Sequence, residues 1–123
     1  IVNHSKNDIM VNSNSDRIRQ VFDNLISNAI RYSERGKISI VIEDDKEEYL
    51  FFVSDTGSGI NEESLSRIFE RFYRTEDART KFRKGTGLGL PIVKHIIEAH
   101  NSSINVDSVE GKGTTFSFAL IKS

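Results

Sequence analysis

Cysteine and tryptophan are absent from this sequence, and proline and methionine occur once each. Without cysteine there is no disulfide and no thiolate metal site, and a reducing compartment is the default setting. Long apolar runs are missing too: none approaches the roughly 20 residues that a membrane helix requires, and the opening residues carry no secretory-signal pattern. Neither sign of charge predominates, with 17 Lys and Arg against 18 Asp and Glu, so generic nucleic-acid binding is not expected. No repeat, low-complexity tract or linker interrupts the 123 residues, which read as a single domain over 1–123. What is present, 37% hydrophobic and 28% charged residues, is the profile of a globular domain in the cytoplasm. A chain of this length buries about two-thirds of its unfolded surface, enough for one core.

Periodicity predicts the elements. Ser13 and Asp16 have capping-box spacing and open a helix over 16–33. Its apolar stripe is Ile18, Val21, Phe22, Leu25, Ile26, Ala29 and Ile30. Strands are expected at 37–43, where Ile38, Ile40 and Ile42 alternate, and at 49–54, joined by a charged turn over 44–48. Ile9 to Val11 could form a further short strand. Short helical pieces follow around 62–72, then an aperiodic basic stretch. A second helix is expected at 88–100, with Ile92, Val93, Ile96 and Ile97 inward and Pro91 in its first turn. The chain closes with a hairpin, 103–109 and 114–121, turned by Glu110-Gly111-Lys112-Gly113. Together these predict an α/β (α+β) two-layer sandwich: a mixed, mostly antiparallel sheet with about three helices on one face.

Three segments could carry chemistry. On the first helix Arg17, Asn24, Asn28 and Arg31 fall in one strip beside the apolar stripe. Asn costs about 0.5–0.7 kcal/mol against Ala in a helix interior, so two of them followed by an arginine suggest a polar pocket wall. A neutral oxygen beside a cation suits magnesium brought in by phosphates. Asp55-Thr56-Gly57-Ser58-Gly59-Ile60 leaves a strand, where Asp55 could accept from an exocyclic amine and the glycines admit a flat ring; equally, it could be a plain strand-exit turn. Gly85-Thr86-Gly87-Leu88-Gly89-Leu90 opens a helix, and free N–H groups there make an anion site, unless the glycines are only punctuation. Ahead of it, Arg74, Arg79, Lys81, Arg83 and Lys84 could form a lid over phosphates or a solvated loop. Arg74 follows the apolar anchor Phe69, Phe72 and Tyr73, and a fixed guanidinium suits a phosphate oxygen. His4, His95 and His100 do not cluster, and none is given a catalytic role.

The order of these segments is more specific than any one of them. Asn28-Ala29-Ile30-Arg31-Tyr32 resembles the N box of sensor histidine kinases, and 55–60 their first glycine box. Ile68-Phe69-Glu70-Arg71-Phe72-Tyr73-Arg74 resembles the F box, 85–90 the second glycine box, and Gly111-Lys112-Gly113-Thr114-Thr115-Phe116 the third. The resemblance is to the catalytic ATP-binding domain of these kinases, in the GHKL superfamily, and it runs from Val11 to Leu120. It implies the Bergerat fold and the cofactors ATP and Mg2+. By it, Asn28 coordinates the metal, Asn24 lies one turn earlier in the same wall, Arg31 reaches the phosphates and Tyr32 lies near the nucleotide. Asp55 accepts from the adenine amino group with Thr114 assisting through water, and Gly57, Gly59 and Ile60 shape the adenine pocket. Arg74 approaches the γ-phosphate, while Gly85, Thr86, Gly87, Leu88, Gly89 and Leu90 wrap the phosphates.

The sequence departs from the family's pattern at Pro91, where a small residue is usual, and at Asn101, where Gly is common. The phosphoacceptor motif His-Glu-x-x-x-Pro is absent. The activity implied is that of a protein-histidine kinase whose acceptor lies on a separate helical dimerisation domain, with a response-regulator receiver domain downstream. The isolated domain would be a monomer and the parent a homodimer, open to membrane anchoring. Alternatives are an ATP hydrolase of the same fold, an anti-sigma-type serine kinase, and a docking module without transfer. The hydrolases carry a water-activating glutamate where this chain has Asn24, which cannot act as a base.

Overall fold

A computed structural model describes residues 14–32, 36–70 and 89–122. Helix α1 (Ser15–Tyr32) follows the predicted stripe, burying Ile18, Val21, Leu25 and Ala29. Ile30 departs from it at 61% exposure: it continues the line of Phe22 and Ile26, both half-buried, at the border of the buried face. The cap also differs from the expected box. Asn14 Oδ1 accepts the Arg17 N–H at 3.2 Å and the Asn14 carbonyl accepts the Ile18 N–H at 3.0 Å, so the free donors of the first turn are met by an Asn. Ser13 lies outside the described residues, as do 9–11 and the basic stretch 74–84.

Strands β1 (Ile38–Asp45) and β2 (Glu48–Asp55) form a hairpin. The strands run longer than predicted, leaving a turn at Lys46 and Glu47 in which Lys46 takes φ 50°. Two short helices' worth of chain cross back: α2 (Glu62–Leu65), capped by Asn61, and, after the undescribed stretch, α3 (Gly89–Ala99). Strands β3 (Asn105–Val109) and β4 (Gly113–Ile121) complete a sheet of order β1-β2-β4-β3, antiparallel at every described junction. Helix α3 ends where the left-handed position falls on Asn101 at φ 58°. The Ser102 N–H reaches the Ile97 carbonyl and the Asn101 N–H the Glu98 carbonyl, a Schellman closure with Asn in place of Gly.

The central strands β2 and β4 bury alternate residues under the helices: Phe51, Val53 and Asp55 from one, Thr114, Phe116, Phe118 and Leu120 from the other. Phe51 and Phe118 stack at 5.2 Å between ring centroids, with the Phe22 edge 5.7 Å from Phe51. Val21 and Leu25 of α1 and Val93, Ile96 and Ile97 of α3 close this core, and Phe69 packs edge-on against Phe116 at 6.3 Å. Edge strand β1 is covered less: Ile40 reaches the core, whereas Ile38 and Ile42 stay 37% and 38% exposed. The N-terminus of α1 is pinned to the C-terminus of α3 by His100. Its Nε2 accepts the Asn14 N–H at 3.1 Å, and its Nδ1 donates to the Ile96 carbonyl at 2.8 Å.

Candidate functional site

The last residues of β2 and the first of β4 bring a carboxylate under the helical layer. Asp55 pairs with Thr114 across the strands, and both are buried. Asp55 Oδ1 accepts the Gly57 N–H at 2.8 Å, and Thr114 faces it from β4. Burial pushes the Asp55 pKa above its ordinary 3.8, and backbone hydrogen bonding, which pulls the other way, offsets only part of that. A carboxyl group whose charge burial disfavours is a functional-site candidate, and this one stands at a strand end beside a buried threonine. With the Gly57 N–H fixing it, its remaining lone pairs can accept from a ligand.

The loop after Asp55 is tied to the β3–β4 hairpin rather than free. Ser58 carbonyl accepts the Gly111 N–H at 2.7 Å, and the Ile60 N–H donates to Ser108 Oγ at 2.8 Å. Gly59, at φ 73°, lies so close to the Val109 carbonyl that a Cβ would overlap it, and Gly113, at φ 137°, has the same relation to the Asp55 carbonyl. These two glycines therefore serve loop-on-hairpin packing, beyond the approach of a ring that the sequence suggests. The hairpin turn is also one residue shorter than predicted: Gly113 belongs to β4 and pairs with Val109, which sets Ser108 opposite Thr114. Ser108 then bonds Thr114 Oγ1 at 2.8 Å and the Gly113 carbonyl at 3.0 Å. Sequence reasoning missed Ser108; its signal was the hairpin register, which the four-residue turn misplaced by one.

Helix α1, which packs on β2 and α3, presents Asn24 and Asn28 half-buried and Arg31 exposed. Arg17, at the other end of the predicted strip, is exposed and interacts with Gln20. Asn24 Nδ2 donates to the Gly89 carbonyl at 3.3 Å, joining the polar wall to the first residue of α3. Among the described residues the Asn28 and Arg31 side chains have no hydrogen-bond or ion-pair partner. Ile60 and Leu90 are half-buried against the core. Arg74, Gly85, Thr86, Gly87, Leu88 and the Tyr32 side chain fall outside what the structure describes. The described residues contain no group of three or more His, Cys, Asp or Glu able to hold a metal, and no described helix is long and apolar enough to cross a membrane. A shallow cleft of about 220 Å³ borders Asp55 and Thr114 but is completed by Asp107 and Thr115, which alternation places on the opposite sheet face.

Comparison with known proteins gives this geometry a context. Residues 13–123 match the family described as histidine kinase-, DNA gyrase B-, and HSP90-like ATPase. The chain is 47% identical over 116 residues to the sensor histidine kinase WalK of Bacillus subtilis (strain 168), covering 92% of this chain and 19% of the relative. It is 49% identical over 108 residues to the sensor protein SrrB of Staphylococcus aureus (strain NCTC 8325 / PS 47), covering 87% and 18%. Thus the chain spans about a fifth of the length of these relatives. Among solved structures it is similar to full-length ShkA in complex with AMPPNP, with TM-score 0.80 and 28% identity over 94% of this chain and 24% of that one. It is also similar to the nucleotide-free catalytic domain of the histidine kinase ThkA, with TM-score 0.76 and 37% identity over 91% and 71%.

Proposed function

Since the chain belongs to the histidine kinase-, DNA gyrase B-, and HSP90-like ATPase family, as an ATP-binding catalytic domain of the sensor-histidine-kinase type, we propose that it binds Mg-ATP across α1 and the β2–β4 strand ends and donates the γ-phosphate to a histidine on a separate helical domain. The observation that carries this reading is Asp55: a buried carboxylate, braced by the Gly57 N–H and facing Thr114, with lone pairs left for a 6-amino group. On this reading Thr114, Gly57, Gly59 and Ile60 complete the adenine pocket, and Asn24, Asn28, Arg31 and Tyr32 form the phosphate-side wall. Gly85 to Leu90 wrap the phosphates, and Arg74 faces the transferring group. The chain acts as one domain over 1–123.

Asn28 fits magnesium. Its half-buried carboxamide has no partner among the described residues; those residues also hold no group of three or more His, Cys, Asp or Glu able to hold a metal, so the ion would enter on the phosphates, keeping most of its waters. When bound, magnesium neutralises charge on the phosphate oxygens. The residues of the chain position and stabilise: Arg31 lends positive charge at the end of the wall, and Asn24 holds the start of α3 against α1. Phosphoryl transfer asks a protein mainly for such positioning. Asn24 also argues for transfer over hydrolysis, because an amide takes no proton from water; its Nδ2 donates to the Gly89 carbonyl.

The partners proposed are the helical dimerisation and phosphoacceptor domain of a homodimeric parent and, after it, a receiver domain, on the cytoplasmic side of any membrane the parent spans. The test combines the chain, γ-labelled Mg-ATP and the parent's phosphoacceptor domain. Acid-labile label on the acceptor supports transfer. Nucleotide binding with no label would make the chain a docking module, and phosphate release by the chain alone would make it a hydrolase.

A further inference from the structure

The hydroxyl cluster beside Asp55 satisfies all its hydrogen bonds in one way. Ser108 Oγ has a single hydrogen and two lone pairs. Three groups reach it: the Ile60 N–H at 2.8 Å, the Gly113 carbonyl at 3.0 Å and Thr114 Oγ1 at 2.8 Å. The N–H can only donate and takes one lone pair. The carbonyl can only accept and takes the hydrogen. What remains for Thr114 is the second lone pair, so the Thr114 hydroxyl must donate its only hydrogen to Ser108. Thr114 is 6% exposed and stands opposite Asp55 on the helix-facing side. Its oxygen is left with lone pairs alone for anything bound there.

We propose that Ser108 is a specificity-determining positioning residue: by fixing the Thr114 hydroxyl as an acceptor, it makes the Asp55–Thr114 edge accept only, selecting 6-aminopurine over 6-oxopurine nucleotides. The inference rests on the adenine site proposed above. A 6-amino group brings hydrogens to that edge, whereas a 6-oxo group brings another acceptor. The oxygen would then face a carboxylate and a hydroxyl with no hydrogen to offer, and an unpaired polar group in a desolvated site is rejected. Ser108 does this without touching the base, and its bond to Ile60 fixes the glycine loop on the same atom.

The test measures dissociation constants of ADP and of inosine diphosphate, its 6-oxo counterpart, by calorimetry of the full chain with magnesium. The unsubstituted chain should prefer ADP. Ser108→Ala frees the Thr114 hydroxyl to donate, and the preference should fall about tenfold, or about 1.4 kcal/mol. Adding Thr114→Val removes the freed donor and should restore the preference, which a mere displacement of the loop would not allow. Ser108→Thr keeps the hydroxyl and should keep the preference. Should Ser108→Ala fail to fold, Ser108→Cys, with a weak donor and acceptor in place of the hydroxyl, should show a partial fall. An unchanged ratio in the folded variant overturns the proposal while leaving the adenine site standing. A fall that Thr114→Val does not reverse overturns it too. If the unsubstituted chain does not distinguish the two nucleotides, the adenine site itself fails and the proposal with it.

Discussion

Replacing Asp55 by Asn separates two effects that the structure sets against each other. The carboxylate accepts the Gly57 N–H and keeps its second oxygen as an acceptor, whereas Asn has one oxygen and can keep that bond only by turning its NH2 to where the second oxygen stood. If the amide instead turns its NH2 toward Gly57, the N–H left unpaired costs about 1–3 kcal/mol. Against this, the substitution removes a charge that burial disfavours. Only the second effect varies with pH. The pKa of Asp55 is raised above 3.8 in the folded protein, so the folded chain holds this proton more tightly than the unfolded chain does. Its contribution to stability is fully present below about pH 3.8 and is lost as pH rises through the raised value. The stability of the parent chain relative to Asp55→Asn should therefore be greatest in acid and shrink toward neutrality. At neutral pH a ligand's 6-amino group would meet an amide NH2 or a shared oxygen, and ADP affinity should drop about tenfold to a hundredfold, the equivalent of one lost hydrogen bond to a charged group. Urea titrations over a pH series and calorimetry with ADP measure both. A stability difference that grows toward neutral pH refutes burial as the dominant influence on Asp55, and unaltered ADP affinity refutes its role as the base acceptor.

Asn28→Ala should remove most of the gain in nucleotide affinity that magnesium confers, about 1–3 kcal/mol, while affinity in chelator is little changed; equal losses in both conditions would take Asn28 off the metal. Gly113→Ala forces a Cβ onto the Asp55 carbonyl at a positive φ, and strain with overpacking should cost about 3 kcal/mol or more in denaturant unfolding. A loss below about 1 kcal/mol would show that the strand ends are not tightly apposed. Asn14→Ala should cost about 1 kcal/mol by removing the α1 cap, read from the same titrations.

Strong periodic patterns carried most of the fold: the α1 stripe, the Ile38-Ile40-Ile42 alternation of β1, and the Asn101 helix end all depend on local rules that a short window of residues contains. What was misplaced depends on register or on a choice between adjacent equivalents. Ser13 and Asn14 are both good caps, and only the geometry selects Asn14. The hairpin around Gly111 could close over three or four residues, and that choice decides whether Ser108 or Val109 faces Thr114. Ile30 sits at the border of its stripe, where the extent of the covering layer decides exposure. In the site, Asp55 and the two asparagines were legible because their residue types are costly where they stand. Ser108 was not, since a serine in an exposed-looking strand costs nothing until its partner strand is placed.

The location of the nucleotide is tested most directly by following backbone amide resonances during titration with Mg-ADP. Saturable shifts should concentrate at Asn24, Asn28, Gly57, Ile60 and Thr114, with Val41, Phe52 and Ser117, cross-strand neighbours on the sheet's other face, left in place. Shifts confined to that other face, or none that saturate, would contradict the account.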